Sequence, residues 1–449
     1  MPPTTSRTDR PLVAKVTRSP ASELDRSNIA GAFATSGLVL KRAQGVYVED
    51  EKGKKYLDMT AGGTTAVGYS HPRLTKALVS QVSRGIDHID RQTMITEKAS
   101  ELTDELKTFV PNPLAKGKAV FGHSGSDIIE KAIRLVRFSK SRPVIVSYYS
   151  AHHGANATAL SASPTLKEMG TNALSRFFNL PGFMHMPFPD SYRPWFADGS
   201  EAGDDCLAFL ERLLSSVVSP RLVAGVLVEP ILSLGGNVVP PDGYFQGLAK
   251  ICRENDIPLI GDEVLTGIGK TGRMFALEHW GVWPDVLCAG KALSGPLPLT
   301  MLLAREDLAD KWEPRDYVGI SKDAYILGCV AAVEILRIVR DERLVDNASR
   351  VGSHLEARLK DMVDDLGLDG DVRGKGLMMA LELVESEKTK APDSLRARSV
   401  VREARRRGLV VGLTGTWENV IRFLPSLTIS ERNVDDAIDI LVRSFRATS

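Results

Sequence analysis

The stretch GDEVLTG at Gly261–Gly267, taken with CAGKALSGPLPL at Cys288–Leu299, decides the fold class. Asp262 follows the apolar run IPLIG and Lys291 follows DVLCAG, so each chemically active side chain stands where a buried strand ends. Apolar runs without alternation belong to parallel strands covered on both faces, and open α/β sheets take their ligands beyond the carboxyl ends of such strands. An amine and an acid brought to one sheet edge have a shared use. The amine can hold an aldehyde as an imine until a substrate amine displaces it, while the carboxylate keeps a pyridine nitrogen protonated so that the ring accepts electrons from a cleaved Cα bond. The pair therefore reads as a pyridoxal 5′-phosphate (PLP) site, with Lys291 as the Schiff-base lysine and Asp262 as the partner of the ring nitrogen. Taken singly, the acid could be a helix cap and the lysine a solvated turn residue.

Outward from these motifs, strand-like and helix-like segments alternate: AVFG (119–122), the helix DIIEKAIRLVRFSK (127–140), VIVSYY (144–149), LVAGVLVEP (222–230), IPLIGDEV (257–264), DVLCAG (285–290) and LTMLLA (299–304). Such alternation predicts a largely parallel, doubly wound sheet and an α/β fold. Before it, GVYVEDEKGKKYLDM (45–59) alternates around a turn at Gly53 and reads as a hairpin that delivers the Gly-rich segment TAGGTTAVGYSHP (60–72). Residues 72–109 have helical spacing. A single long helix is expected over 331–366, then VRGKGLMMALEL (372–383), a helix over 394–408 and IRFLPSL (421–427). The expected plan is an N-terminal arm over 1–27, part of a small domain over 28–74, a large domain over 75–330, and the rest of the small domain over 331–449.

A chain of 449 residues exceeds one ordinary domain, and a net charge of +1 leaves no electrostatic footprint for nucleic acid or an anionic membrane. No apolar run reaches the roughly 18 residues needed to cross a bilayer, and the first residues lack the apolar core of a secretory signal. Cys206, Cys252, Cys288 and Cys329 lie in or beside apolar runs without CxxC spacing, which predicts free buried thiols, a reducing cytoplasm and no metal site. The start, MPPTTSRTDRPLVAKVTR, reads as an arm that is disordered or clasps a second subunit, with organellar targeting as the weaker reading.

The two central motifs, with SGSDIIEKAIR (124–134) and VIRFLPSLTIS (420–430), resemble the class III aminotransferases, a family of fold type I PLP enzymes. Within that family the motifs are most similar to the dialkylglycine decarboxylase and amino-acid racemase subgroup, from roughly Gly37 to Phe445. The resemblance implies a large domain with a seven-stranded, mainly parallel sheet and a smaller α+β domain built from both chain ends. It also implies a homodimer, or a dimer of dimers, with each site lying across a subunit interface. In HSGSD (123–127), small residues before a helix could cradle a phosphate on backbone amides or simply cap the helix. The resemblance assigns Gly125 and Ser126 to the cofactor, and Glu229 and Val264 with them. It assigns Arg422 to the substrate carboxylate, which a guanidinium grips bidentately, and Thr64 to the substrate side.

Several positions depart from the family pattern and bear on the reaction. His152 stands where an aromatic residue precedes the family's His-Gly pair; its imidazole could stack on the cofactor, carry a proton, or be satisfied structurally. Leu234 replaces the Asp of racemases and the Ser of dialkylglycine decarboxylase, and it can neither donate nor accept a proton. That decarboxylase's glutamine has no counterpart in 60–72. Ser321 takes the place of the threonine that reaches the neighbouring subunit's phosphate, with new charge beside it at Lys322 and Asp323. Tyr192, Arg193 and Trp195 could line the pocket or pack. The expected activity is amino-group transfer between an amino acid or amine and a keto acid, with Lys291, Asp262 and His152 as the catalytic set. Racemisation, decarboxylation, carbon–carbon bond formation and non-catalytic PLP binding are the alternatives, and retention of Lys291, Asp262 and Arg422 argues against the last.

Overall fold

The N-terminal hairpin forms where the sequence places it, and a buried acid closes it. Strands β1 (Leu40–Gln44), β2 (Tyr47–Asp50) and β3 (Lys55–Asp58) pair antiparallel in chain order. Asp50 accepts the amides of Lys52 and Lys54, each at 2.9 Å, and the Tyr56 hydroxyl at 2.9 Å, while Gly53 supplies the left-handed turn at φ +84°. These coordinates come from a computed structural model that describes residues 38–85, 96–164, 180–196, 201–312 and 323–448.

Strands β4 (Lys118–Gly122), β5 (Val144–Tyr148), β6 (Phe183–Met186), β7 (Val223–Val228), β8 (Leu259–Glu263), β9 (Val286–Ala289) and β10 (Thr300–Ala304) form one seven-stranded sheet in the order β4-β10-β9-β8-β7-β5-β6. Only β10 runs against its neighbours. Every residue of β7, β8, β9 and β10 is buried, as strands covered on both faces require. The pleat divides β9 cleanly: Val286 and Cys288 join the core under the helix Gly125–Lys140, and Leu287 and Ala289 join the core on the opposite face. All four cysteines are free and buried.

Both chain ends build the smaller part. Strands β11 (Gly370–Lys375), β12 (Met378–Leu383), β13 (Leu409–Val410), β14 (Gly412–Thr414) and β15 (Val420–Phe423) follow the large sheet in sequence. Four of them pair as β11-β12-β15-β14, while β13 lies parallel to β3 and so joins the N-terminal hairpin to the C-terminal third.

Two details differ from the sequence reading. The expected helix over 331–366 is two helices, Ile326–Asp341 and Leu344–Leu366, separated by Arg343 at φ +51°. Residues 340–343 are all exposed, so no apolar side chain holds helical register there. Strand β6, with only four residues, was too short to stand out in the sequence and gains its place by pairing with β5. Among the described residues, no helix is long and apolar enough to cross a membrane.

Candidate active site

The carboxyl ends of β4, β5, β7, β8 and β9 converge, and each delivers one part of the site. At the end of β8 the acidic pair splits. Glu263 turns into the core, accepting the Thr266 hydroxyl at 2.5 Å and the amides of Ala276 and Leu277 at 2.9 Å each, and burial pushes its carboxyl up to about 7. Asp262 turns to the site. Its Oδ2 lies 2.7 Å from Nδ1 of His153, which donates to it, and its Oδ1 accepts the Val264 amide at 3.1 Å. His153 is buried, its own amide is held by Ser163 Oγ at 2.8 Å, and its Nε2 has no hydrogen-bond partner among the described residues. The Asp262 carboxylate is therefore oriented by a ring that is itself fixed.

Just past β9, Lys291 adopts φ +44°, a left-handed conformation that costs a side-chain-bearing residue about 1–2 kcal/mol. The residue is exposed to solvent, yet protein crowds around its amine. That crowding lowers its ammonium pKa; Asp262 and Glu229 oppose the shift and Arg422 adds to it. A less basic lysine is a better nucleophile and a better proton acceptor near neutrality.

The HSGSD loop follows β4. Ser124 caps the helix Gly125–Lys140 by accepting the Asp127 amide at 3.2 Å, so the capping reading is correct as far as it goes. The amides of Gly125 and Ser126 belong to the first turn, which has no carbonyl partner within the helix and which carries the positive end of the dipole. A Cβ on Gly125 would stand 3.2 Å from Cγ1 of Val264, and one on Gly290, next to Lys291, would stand 3.2 Å from the same atom. Val264 is thus the floor between the loop and the lysine. The turn after β5 closes on this loop: the Ala155 amide donates to Ser126 Oγ at 2.8 Å, and a Cβ on Gly154, at φ +139°, would come within 2.4 Å of that oxygen.

Glu229, beyond β7, is buried. It accepts the His152 amide at 2.8 Å and the Ser233 hydroxyl at 2.6 Å. His152 is therefore tied to the site through its main chain. Arg422, on β15, lies between Ala380 and Gly412 across its neighbouring strands; burial lowers its pKa while Glu229 holds it up. Thr64 is exposed on a 3-10 turn whose Gly62 is jammed against the Pro425 carbonyl, where a Cβ would stand 1.8 Å away. Its carbonyl lies 3.6 Å from the Cβ position of Gly295, which places the turn beside the Lys291 loop. Ser321 lies outside the described residues.

The sequence reading missed several supports. His153 stood in the sequence only as the histidine of the family's His-Gly pair, with no role assigned, and Ser163 and Ser233 had no signal at all. Lys270, fully buried with its Nζ on the Gly62 carbonyl, looked like an ordinary turn lysine in GKTG; burial lowers its pKa to about 7. Asp323, expected to add charge beside the phosphate, is buried and paired to Lys131 at 2.8 Å. Trp195 stacks on Tyr149 at 5.4 Å, and Arg193 donates to Glu382 at 2.6 Å. With Trp417 and Asn419 they line a cavity of about 330 Å³ that Leu232 and Gly235 also border.

A crowded lysine and a histidine-held acid at the carboxyl edge of a parallel-rich sheet, with a helix N-terminus opposite, define a PLP-dependent enzyme of fold type I. Residues 31–445 match the family described as Aminotransferase class-III, and the chain belongs to that family. It is 33% identical over 426 residues to an alanine/serine racemase of Pyrococcus horikoshii, covering 92% of this chain and 86% of the relative. It is 30% identical to a probable 4-aminobutyrate aminotransferase of Bacillus subtilis, covering 90% and 92%. Among solved structures, a PLP-bound amine transaminase from an uncultivated Pseudomonas species superposes with a TM-score of 0.84 at 26% identity, covering 99% of this chain and all of that one.

The residues present fit PLP. Lys291 could supply the amine, Asp262 the ring-nitrogen partner and the Gly125–Ser126 amides an anion cradle, and a side chain at Gly154 or Gly290 would crowd that arrangement.

Proposed function

We propose that this enzyme moves an amino group between an amino acid or amine and a keto acid, as a homodimer in the cytoplasm. The observation that carries the reading is the lowered ammonium of Lys291 beside the fixed Asp262–His153 pair, with leucine at 234, where a second base would have to stand. PLP, when bound, supplies an aldehyde that captures the substrate amine and a ring that accepts the electrons released at Cα. Asp262 would hold the ring nitrogen of that group, and His153 holds Asp262. Arg422 takes the substrate carboxylate, with Glu229 balancing its charge in the buried wall. Thr64 lines the approach. Lys291 Nζ would take the Cα proton and deliver it away from Cα, after which water would release the keto acid and the amino group would stay with the cofactor until the acceptor keto acid takes it up. Four buried free thiols support a reducing compartment.

A second reading, racemisation, is favoured by the racemase relative and by a titratable imidazole at His152, which could return the proton to Cα from the other side. One experiment separates the two. Full-length enzyme is incubated in deuterium oxide with a panel of amino acids and amines, with and without a 2-keto acid. Acceptor-dependent formation of a new keto acid or aldehyde is expected. Accumulation of the mirror-image amino acid without amine loss would overturn transamination, and His152→Phe would then abolish inversion.

A further inference from the structure

Beneath the HSGSD loop lies a charge cluster that plays no part in the chemistry above. Lys131, in the second turn of the helix Gly125–Lys140, is 2% exposed. Its Nζ donates to the Phe121 carbonyl at 2.7 Å, to Asp323 Oδ1 at 2.8 Å and to Asp127 Oδ2 at 3.2 Å. Those three acceptors match in number an ammonium's three N–H bonds. Each acceptor belongs to a different piece of the site's support: the end of β4, the first turn of the helix, and the segment that leads into the helix Ile326–Asp341. Asp127 extends the network into the loop, because the same Oδ2 accepts the His123 amide at 2.9 Å. The loop is gripped from its far side as well, by Thr300 Oγ1 donating to the Ser124 carbonyl at 3.2 Å. His123 Nε2 lies 3.7 Å from Asp323, so loop and segment also face each other directly.

A buried ion pair is a poor stabiliser: desolvation offsets the attraction, and well-packed apolar side chains usually do as well or better. What the pair does provide is direction. A lysine held by three acceptors fixes their relative positions, and two of those positions set the path of residues 121–127.

We propose that Lys131 and Asp323 are positioning residues for the cofactor's phosphate, holding the His123–Ser126 loop in the shape that presents its amides to the dianion. The proposal rests on the reading of that loop as the phosphate cradle. Asp323 keeps the Lys131 ammonium aimed, and Lys131 transmits that constraint through Asp127 and Phe121.

The test compares PLP with pyridoxal, which has the same ring and aldehyde and lacks the phosphate. Full-length protein is stripped of cofactor, and each compound is titrated by its visible absorbance, with melting temperature measured in parallel. Asp323→Asn, which keeps the side chain's shape, and the apolar pair Lys131→Met/Asp323→Leu are compared with wild type. In both variants the preference for PLP over pyridoxal is expected to fall by on the order of tenfold, with pyridoxal binding unchanged. The double variant is expected to recover the melting temperature lost in Lys131→Met alone. A wild-type preference in the double variant, with its stability restored, would show that the pair only supports packing and would overturn the proposal. Ser126→Asp tests the underlying reading separately: repulsion should abolish the phosphate preference, and if it does not, the cradle lies elsewhere and both readings fail together.

Discussion

The cofactor side and the substrate side of this cleft are built by different rules. Lys291, Asp262, His153, Glu229 and the Gly125–Ser126 turn all hang from the ends of one seven-stranded sheet, so their spacing is set by strand pairing. Arg422 comes from the C-terminal four-stranded sheet, and Thr64 from a turn jammed against Pro425 beside the Lys291 loop. A shared scaffold gives fixed mutual geometry, as cofactor chemistry needs, whereas a substrate pocket assembled from separate elements can vary without disturbing it. This is why one family plan accommodates both racemase and aminotransferase relatives.

The largest break in that contrast comes from Lys291→Ala. Turnover is expected to fall by more than about 10³-fold, and the protein should lose the visible absorbance that follows cofactor capture. A cofactor-side support should matter nearly as much as a direct contact. His153→Phe leaves Asp262 without its 2.7 Å partner and is expected to lower kcat by roughly 10- to 100-fold, with KM for the carboxylate substrate little changed. Steady-state kinetics decide this one, and an equal loss in KM would place His153 on the substrate side. Arg422→Lys should do the reverse. Loss of bidentate geometry is expected to raise KM about tenfold for amino acids and to leave amines without a carboxylate unaffected.

The smallest expected effect concerns the turn between the two sides. Lys270 is buried beneath Gly62 with its pKa lowered to about 7, against an ordinary lysine value in the unfolded chain. Between pH 7 and the ordinary value the unfolded chain holds the extra proton, so the fold gains stability as pH rises through that window and is penalised below it. The slope is at most about 1.4 kcal/mol per pH unit. Lys270→Met should remove that contribution, and chemical denaturation at several pH values would detect it. An unchanged slope would show that the amine stays charged in the folded state.

The strands that carry Asp262 and Lys291 were legible because burial on both faces demands unbroken apolar runs, and the hairpin because alternation around Gly53 has one natural solution. The break at Arg343 was less so: the apolar spacing continues on both sides, and only the exposure of residues 340–343 shows that nothing holds the helix through them. His153 was hidden for a different reason. It sits beside a more conspicuous histidine, and adjacency in a chain says nothing about which ring turns inward.

The order of residues along the chain therefore determined the sheet, the chemistry of its edge and the family, since these follow from periodicity and from which functional groups end which strands. The folded arrangement alone decided which of two acids faces the site, that Asp323 spends its charge on Lys131 inside the protein, and that Lys270 is denied water. Each of those outcomes depends on distances between residues far apart in sequence, which packing sets and local pattern does not encode.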